Sequence, residues 1–173
     1  DPDVKVRQQA IVAAGHLSNL ELVDPLLKEA VHARLAGTVA SALAEFGTKI
    51  EAPIAAVLDD VERPTAVRTL CCRVLAKIGD RHCSEILLRH VRDQSRQVRY
   101  AVINALSHIG HRLPGLLTKE PSIEVALRDE GAYWYELLAR RLDLKVGGEA
   151  ILLEDALAHR QRVSSQQILR LLG

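Results

Sequence analysis

Residues 50–79 read IEAPIAAVLDDVERPTAVRTLCCRVLAKIG, and residues 82–110 read HCSEILLRHVRDQSRQVRYAVINALSHIG. Each holds an apolar pattern of period 3.6, a short polar break and a second such pattern, which predicts two antiparallel helices. Working outward, LELVDPLLKEAVHARLAGTVASALAEFG over 20–47 is a further copy, and DPDVKVRQQAIVAAGHLS over 1–18 is a half-copy. Aligned on their ends, Ser18, Gly47, Gly79 and Gly110 fall 29, 32 and 31 residues apart. Glycine at the close supplies the left-handed residue that ends the second helix of a unit. A fixed period of this kind predicts a solenoid. Each unit carries one apolar stripe too many to bury alone, so a continuous stack of helix pairs is expected rather than a closed bundle.

The units resemble HEAT repeats, in the short form also found in phycobilin-lyase-like proteins. The resemblance rests on V-R followed by small residues and a closing I-G. One copy has Val67, Arg68, Ala76, Ile78 and Gly79, and the next has Val98, Arg99, Ala101, Ala105, Leu106, Ile109 and Gly110. The half-copy matches with Val6, Arg7, Ala10, Ala14 and Leu17, while the second copy departs from the pattern with Leu35 and Ala36. The resemblance implies an all-α, right-handed α-solenoid of HEAT-type helix pairs over residues 1–112, with a helical C-terminal cap over 113–173. The arginines stand six residues after an acid, as in Asp1 and Arg7, Glu62 and Arg68, and Asp93 and Arg99. That spacing predicts an ion pair bridging the bend within each unit. The unit at Ala30 and Ala36 lacks both charges, so its bend is expected to be less rigid.

Composition agrees with helix packing: 48% of the 173 residues are hydrophobic but only 3% aromatic, so the apolar mass is almost all Ala, Leu, Val and Ile. A net charge of +1 with 26% charged residues indicates neither a polyacid-binding protein nor a disordered chain. No run approaches the roughly 18 apolar residues that cross a bilayer, and the opening DPDVKVRQQ lacks the apolar stretch of a signal peptide. The absence of methionine predicts a piece of a longer protein. Three cysteines, two of them adjacent, make no disulfide framework and point to a reducing, cytoplasmic setting.

Past residue 112 the repeat fades. Pro114, Pro121 and Gly147-Gly148 delimit an expected helix over 122–144 and another over 149–162, and Ser164 with Gln167 reads as a capping box that starts a last helix. Tyr133, Trp134 and Tyr135 form the single aromatic cluster, with Trp134 and Leu138 an i, i+4 pair expected to pack inward. The stretches YWYELLARRLDL and LLEDALAHRQRVSSQQILRLLG resemble the segment that follows HEAT repeats in certain bacterial membrane proteins. Those proteins join a nucleotide-translocase-like or facilitator-like transporter to a cyclic-nucleotide-binding domain. That likeness implies a regulatory module on the cytoplasmic side of a membrane protein.

No catalytic constellation, cofactor motif or local metal spacing occurs. None of the seven histidines sits in H-E-x-x-H, Cys71, Cys72 and Cys83 do not converge by spacing, and Cys71 and Cys72 replace Ala10 and Ile11 or Val102 and Ile103 of other copies. They read as small buried thiols. The HEAT-scaffold hydroxylases that bind di-iron use His-Glu pairs, and that dipeptide is missing. The expectation is therefore a non-enzymatic protein-interaction or regulatory scaffold. A lyase-type or glycosylase-type enzyme on the same scaffold and a nucleic-acid-binding solenoid are the alternatives.

Surface chemistry narrows the binding face. Second helices line the concave side of such solenoids, and positions ten, six and two before each closing residue share one face. They read Gln8, Val12, His16; Gly37, Ser41, Glu45; Thr69, Arg73, Lys77; and Tyr100, Asn104, His108. Between Arg63 and Arg99 nine Lys or Arg face only three Asp or Glu. Thr69, Arg73, Lys77, Tyr100, Asn104 and His108 are thus the candidate partner-binding residues, for an acidic protein segment or a neighbouring domain of the same chain. An ordinary solvated helix face is the competing reading, and phosphate or nucleic acid a further one. Apolar residues near both ends, Val4, Ile11 and Val12 and then Ile168, Leu169, Leu171 and Leu172, predict weak self-association.

Overall fold

A computed structural model of the chain describes residues 3–113, 121–147 and 151–172, and divides into two compact units, Asp1–Leu116 and Leu117–Gly173. In the first unit the helices are α1 Val4–Leu17, α2 Val23–Glu29, α3 Ala36–Ala44, α4 Glu51–Asp59, α5 Thr65–Ile78, α6 Arg81–Leu88 and α7 Arg96–Arg112. Helices α1, α3, α5 and α7 form a row in which each packs on the next. Against that row, α2 lies on α3, α4 on α5, and α6 on both α5 and α7. This is an all-α solenoid, and its contacts join helices close in sequence. Leu43, Ile50, Ile54, Leu58, Leu70, Leu75, Leu87, Ile103, Leu106 and Ile109 fill the space between the two layers, fully buried. Each such side chain contributes about 1.5–3 kcal/mol by leaving water.

Local chemistry sets the ends of the helices. The Asp3 carboxylate accepts the Lys5 N–H at 2.8 Å to open α1, and the Asp80 carboxylate accepts the Cys83 N–H at 2.7 Å to open α6. Helix α5 closes in the left-handed region at Gly79 (φ 70°), and Ser18 takes the same conformation at the end of α1 (φ 48°) despite its side chain, whereas α3 already ends at Ala44 on a right-handed Glu45 and the positive φ of Gly47 (60°) opens the short 3-10 turn that follows. Ser18 offsets the strain by donating its hydroxyl to the Gly15 carbonyl at 3.0 Å. The fourth expected stop, Gly110, does not act as one: α7 runs through it to Arg112. A helical glycine costs only about 1 kcal/mol. His111 and Arg112 in the last turn face the negative end of the helix dipole, and Arg112 donates from Nη1 to the Lys77 carbonyl at 3.2 Å, which holds the extra turn.

The bridging arginines depart from expectation in an instructive way. Arg68 reaches past Glu62 to the following unit, where Nη1 and Nη2 meet the two oxygens of Asp93 at 3.2 and 2.5 Å, while Nε donates to the Leu58 carbonyl at 2.9 Å. Arg7 likewise bonds Glu29 of the next unit; Asp1 lies outside the described residues. An arginine one turn into a second helix is longer than the bend is wide, so its fork meets the acid stacked beside it. Arg99 donates within its own bend, to the carbonyls of Asp93 and Gln94. The Arg7 and Arg68 contacts tie neighbouring units together, and α3, with Ala36 at the arginine position, supplies none.

Near the N-terminus, Ile11 is buried against expectation, because the α1 face that carries it is the one applied to α3; Val12 and Leu17 point outward. Gly15 permits that close approach: a Cβ there would stand 2.8 Å from Ala42 Cα.

The second unit is a hairpin of α8 Pro121–Gly147 and α9 Ile151–Leu172. The expected break at Ser164 is absent, and α9 is continuous. Ser164 is fully buried and donates its hydroxyl to the carbonyl and carboxylate of Glu130 at 3.4 and 3.3 Å, so its role is to let the helices approach. Trp134 packs beside Tyr135 edge to face and donates to the Ser165 hydroxyl at 2.8 Å. Of the apolar residues expected to crowd this end, Leu169 is exposed, while the side chains of Ile168, Leu171 and Leu172 lie outside the described residues. Among the described residues no helix is long and apolar enough to cross a membrane.

Candidate functional site

The four expected stripes fall on successive helices of the α1, α3, α5, α7 row. His16 and Glu45, both two residues before a closing residue, meet across the α1–α3 ridge at 2.9 Å. Lys77 and His108 hold the same place on α5 and α7, which pack directly on one another. The register is thus a property of the stack, fixed by apolar residues on the opposite faces of the same helices.

Along this row the polar character changes. At the α1–α3 end the ionisable pair His16 and Glu45 engage each other, and the Ser41 hydroxyl is taken by the Gly37 carbonyl at 3.2 Å. At the α5–α7 end Arg73, Lys77 and His108 are exposed, and none has an ion-pair partner among the described residues. Thr69 is half-buried and donates to the Ala66 carbonyl at 3.0 Å, so it contributes shape more than a free donor. Tyr100 and Asn104 are also half-buried and already interact with neighbouring groups. The structure therefore brings the six residues onto adjacent ridges, with Arg73, Lys77 and His108 presenting the open positions.

Arg112 belongs to the same region. Its guanidinium lies directly over Gly79, where a Cβ would collide with it, and it bonds the Lys77 carbonyl in the last turn of α5. Counting back from Gly110 passes over Arg112, since that counting assumes the helix stops at the glycine. The signal that could find it is the His111-Arg112 pair, a favourable end for a helix.

The remaining chemistry is sparse. Cys71 and Cys72 are fully buried, as their alignment with aliphatic residues predicts. Burial pushes the Cys71 thiol up to about 12 and raises Cys72 as well, so neither supplies a thiolate nucleophile. Asp93 is held below the usual carboxylate range: burial opposes ionisation, and the Arg68 hydrogen bonds, the Ser95 N–H, the Arg68 charge and His90 together overcome it. Glu51, Asp80 and Cys83 converge outside the row and are the residues among those described that could hold a metal ion.

The family of HEAT repeats matches residues 50–122, spanning the helix pairs α4–α5 and α6–α7, and this supports a HEAT-repeat domain. No curated protein matches the chain.

Proposed function

We propose that the chain is a non-enzymatic protein-interaction module, a regulatory scaffold whose α5–α7 ridge receives an acidic segment of a partner or of a neighbouring domain. Arg73 and Lys77 supply charge, Arg112 extends it, His108 adds a hydrogen-bonding ring, and Tyr100, Asn104 and Thr69 shape the floor. HEAT repeats commonly serve as protein-interaction scaffolds, which is the coarser statement beneath this reading. The observation that carries the finer one is the contrast along a single face: the ionisable side chains engage each other at α1–α3, while Arg73 and Lys77 are left open at α5–α7. Arginine and tyrosine are also the residues that dominate binding hot spots. The likeness of residues 133–144 and 152–173 to transporter-linked segments supports a cytoplasmic place beside a membrane domain of a larger protein.

The test is a fluorescence-anisotropy titration of a labelled Asp/Glu-rich peptide against the chain. Arg73→Ala with Tyr100→Ala should weaken binding far more than Gln8→Ala with Ser41→Ala. Equal losses, or tighter salt-dependent binding of duplex DNA than of the peptide, would count for a different partner.

A further inference from the structure

Glu51 is the first residue of α4, Asp80 caps α6, and Cys83 lies within the first turn of α6. Glu51 stands four residues after Gly47 and Cys83 four after Gly79, so the two occupy the same place in successive units. Stacking carries them together: a carboxylate oxygen of Glu51, one of Asp80 and the Cys83 Sγ all lie within 4.8 Å of one another. His82 stands at the rim, its Nε2 3.8 Å from Glu51 Oε2 and its Nδ1 3.6 Å from the Glu85 carboxylate.

One atom in this cluster has no counterpart. The Glu51 side chain is 7% exposed, and its Oε1 is buried without a hydrogen-bond partner. Leaving a buried carboxylate oxygen unpaired is costly, and the ends of α4 and α6 offer it no donor. Asp80 has no proton to donate while ionised, and one of its oxygens already accepts the Cys83 N–H. Three acidic groups that converge here, Glu51 and Cys83 buried and Asp80 half-buried, with one oxygen unpartnered, are completed by a positive charge placed between them.

We propose that Glu51, Asp80 and Cys83, with His82 closing the open side, bind a zinc ion that staples the α4–α5 and α6–α7 units together. A thiolate, an imidazole and two carboxylate oxygens make a four-ligand set suited to this borderline-soft cation, whereas calcium and magnesium require oxygen-only cages. Tetrahedral bonds of about 2.0–2.3 Å place ligand atoms about 3.3–3.8 Å apart, so the cluster needs to close by about 1 Å. The exposed His82 ring is free to turn into the fourth position, with Glu85 behind it as the outer carboxylate that zinc-bound histidines use. Burial and then Asp80 raise Glu51 above its ordinary range, and burial and Asp80 likewise push Cys83 up to about 12. Zinc takes the Cys83 sulfur as thiolate, so binding releases the thiol proton and tightens as pH rises.

The test uses the whole chain, stripped with a chelator and titrated with zinc chloride in competition with a colorimetric indicator. One equivalent should bind, and cobalt in place of zinc should give the near-ultraviolet charge-transfer band of a thiolate ligand. His82→Ala alters an exposed residue and keeps the fold, and it should weaken zinc binding at least tenfold; Glu51→Gln should do the same. The cobalt band should persist in the Cys71→Ser and Cys72→Ser variants and vanish in Cys83→Ser. Absence of stoichiometric zinc or of the cobalt band in the unaltered chain would overturn the proposal, leaving a proton-sharing carboxyl pair. Unchanged affinity in His82→Ala and Glu51→Gln would overturn it equally.

Discussion

Replacing Arg68 by methionine removes the strongest tie between successive units while keeping most of the aliphatic stem. The Arg68 and Asp93 side chains are 4% and 6% exposed, and the guanidinium makes a two-pronged contact with the carboxylate as well as a bond to the Leu58 carbonyl. Breaking a buried pair from one side costs about 3–5 kcal/mol, because the charge left behind stays desolvated. Asp93 keeps the Ser95 N–H at 2.9 Å and His90 at 3.5 Å, which favours the lower end, about 3 kcal/mol. The matched control is Arg7→Met, since Arg7 and Glu29 are 23% and 36% exposed and such a pair contributes about 1 kcal/mol or less. Urea unfolding followed by far-ultraviolet circular dichroism measures both. Asp93→Asn added to Arg68→Met should cost less than the sum of the two single losses, because the second change removes the stranded charge. If Arg68→Met were no worse than Arg7→Met, or the two changes simply added, the assignment of Arg68 and Asp93 as a coupled inter-unit pair would be wrong.

Gly15→Ala should destabilise the first unit by about 1–3 kcal/mol, because the new methyl meets backbone atoms of Ala42 that cannot rotate away; a thermal melt checks this, and an unchanged midpoint would mean α1 and α3 are further apart. Asp93 has a folded pKa below its unfolded value, so its contribution is present above about pH 4 and is lost as pH falls through the depressed folded value. Acid titration of urea stability should therefore show a drop in that window that Asp93→Asn abolishes. Ser164→Leu should overpack the α8–α9 crossing and shift the fluorescence of Trp134, the single tryptophan, bonded to the adjacent Ser165; unaltered emission would argue against that crossing.

The period of the chain determines its helix pairs and their order, because apolar spacing of 3.6 and a left-handed closing residue act within a few residues of each other. Val67-Arg68 and Gly79 announce α5 and its end, and Cys71 and Cys72 announce their burial by replacing aliphatic residues. The stripe of Thr69, Arg73 and Lys77 is legible for the same reason, since a helix fixes which side chains share a face. What lies across units is not legible. Arg68 chooses Asp93 over Glu62 because a long side chain answers to the geometry of stacking, which local spacing does not encode. Gly110 fails to stop α7 because Arg112 finds the Lys77 carbonyl, an acceptor 35 residues earlier. Ser164, which looks like a cap, is a contact residue because α8 passes over it. Glu51 and Cys83 lie 32 residues apart, and no motif search joins them; the solenoid superposes equivalent positions and puts a carboxylate, an aspartate cap and a thiol into one cluster.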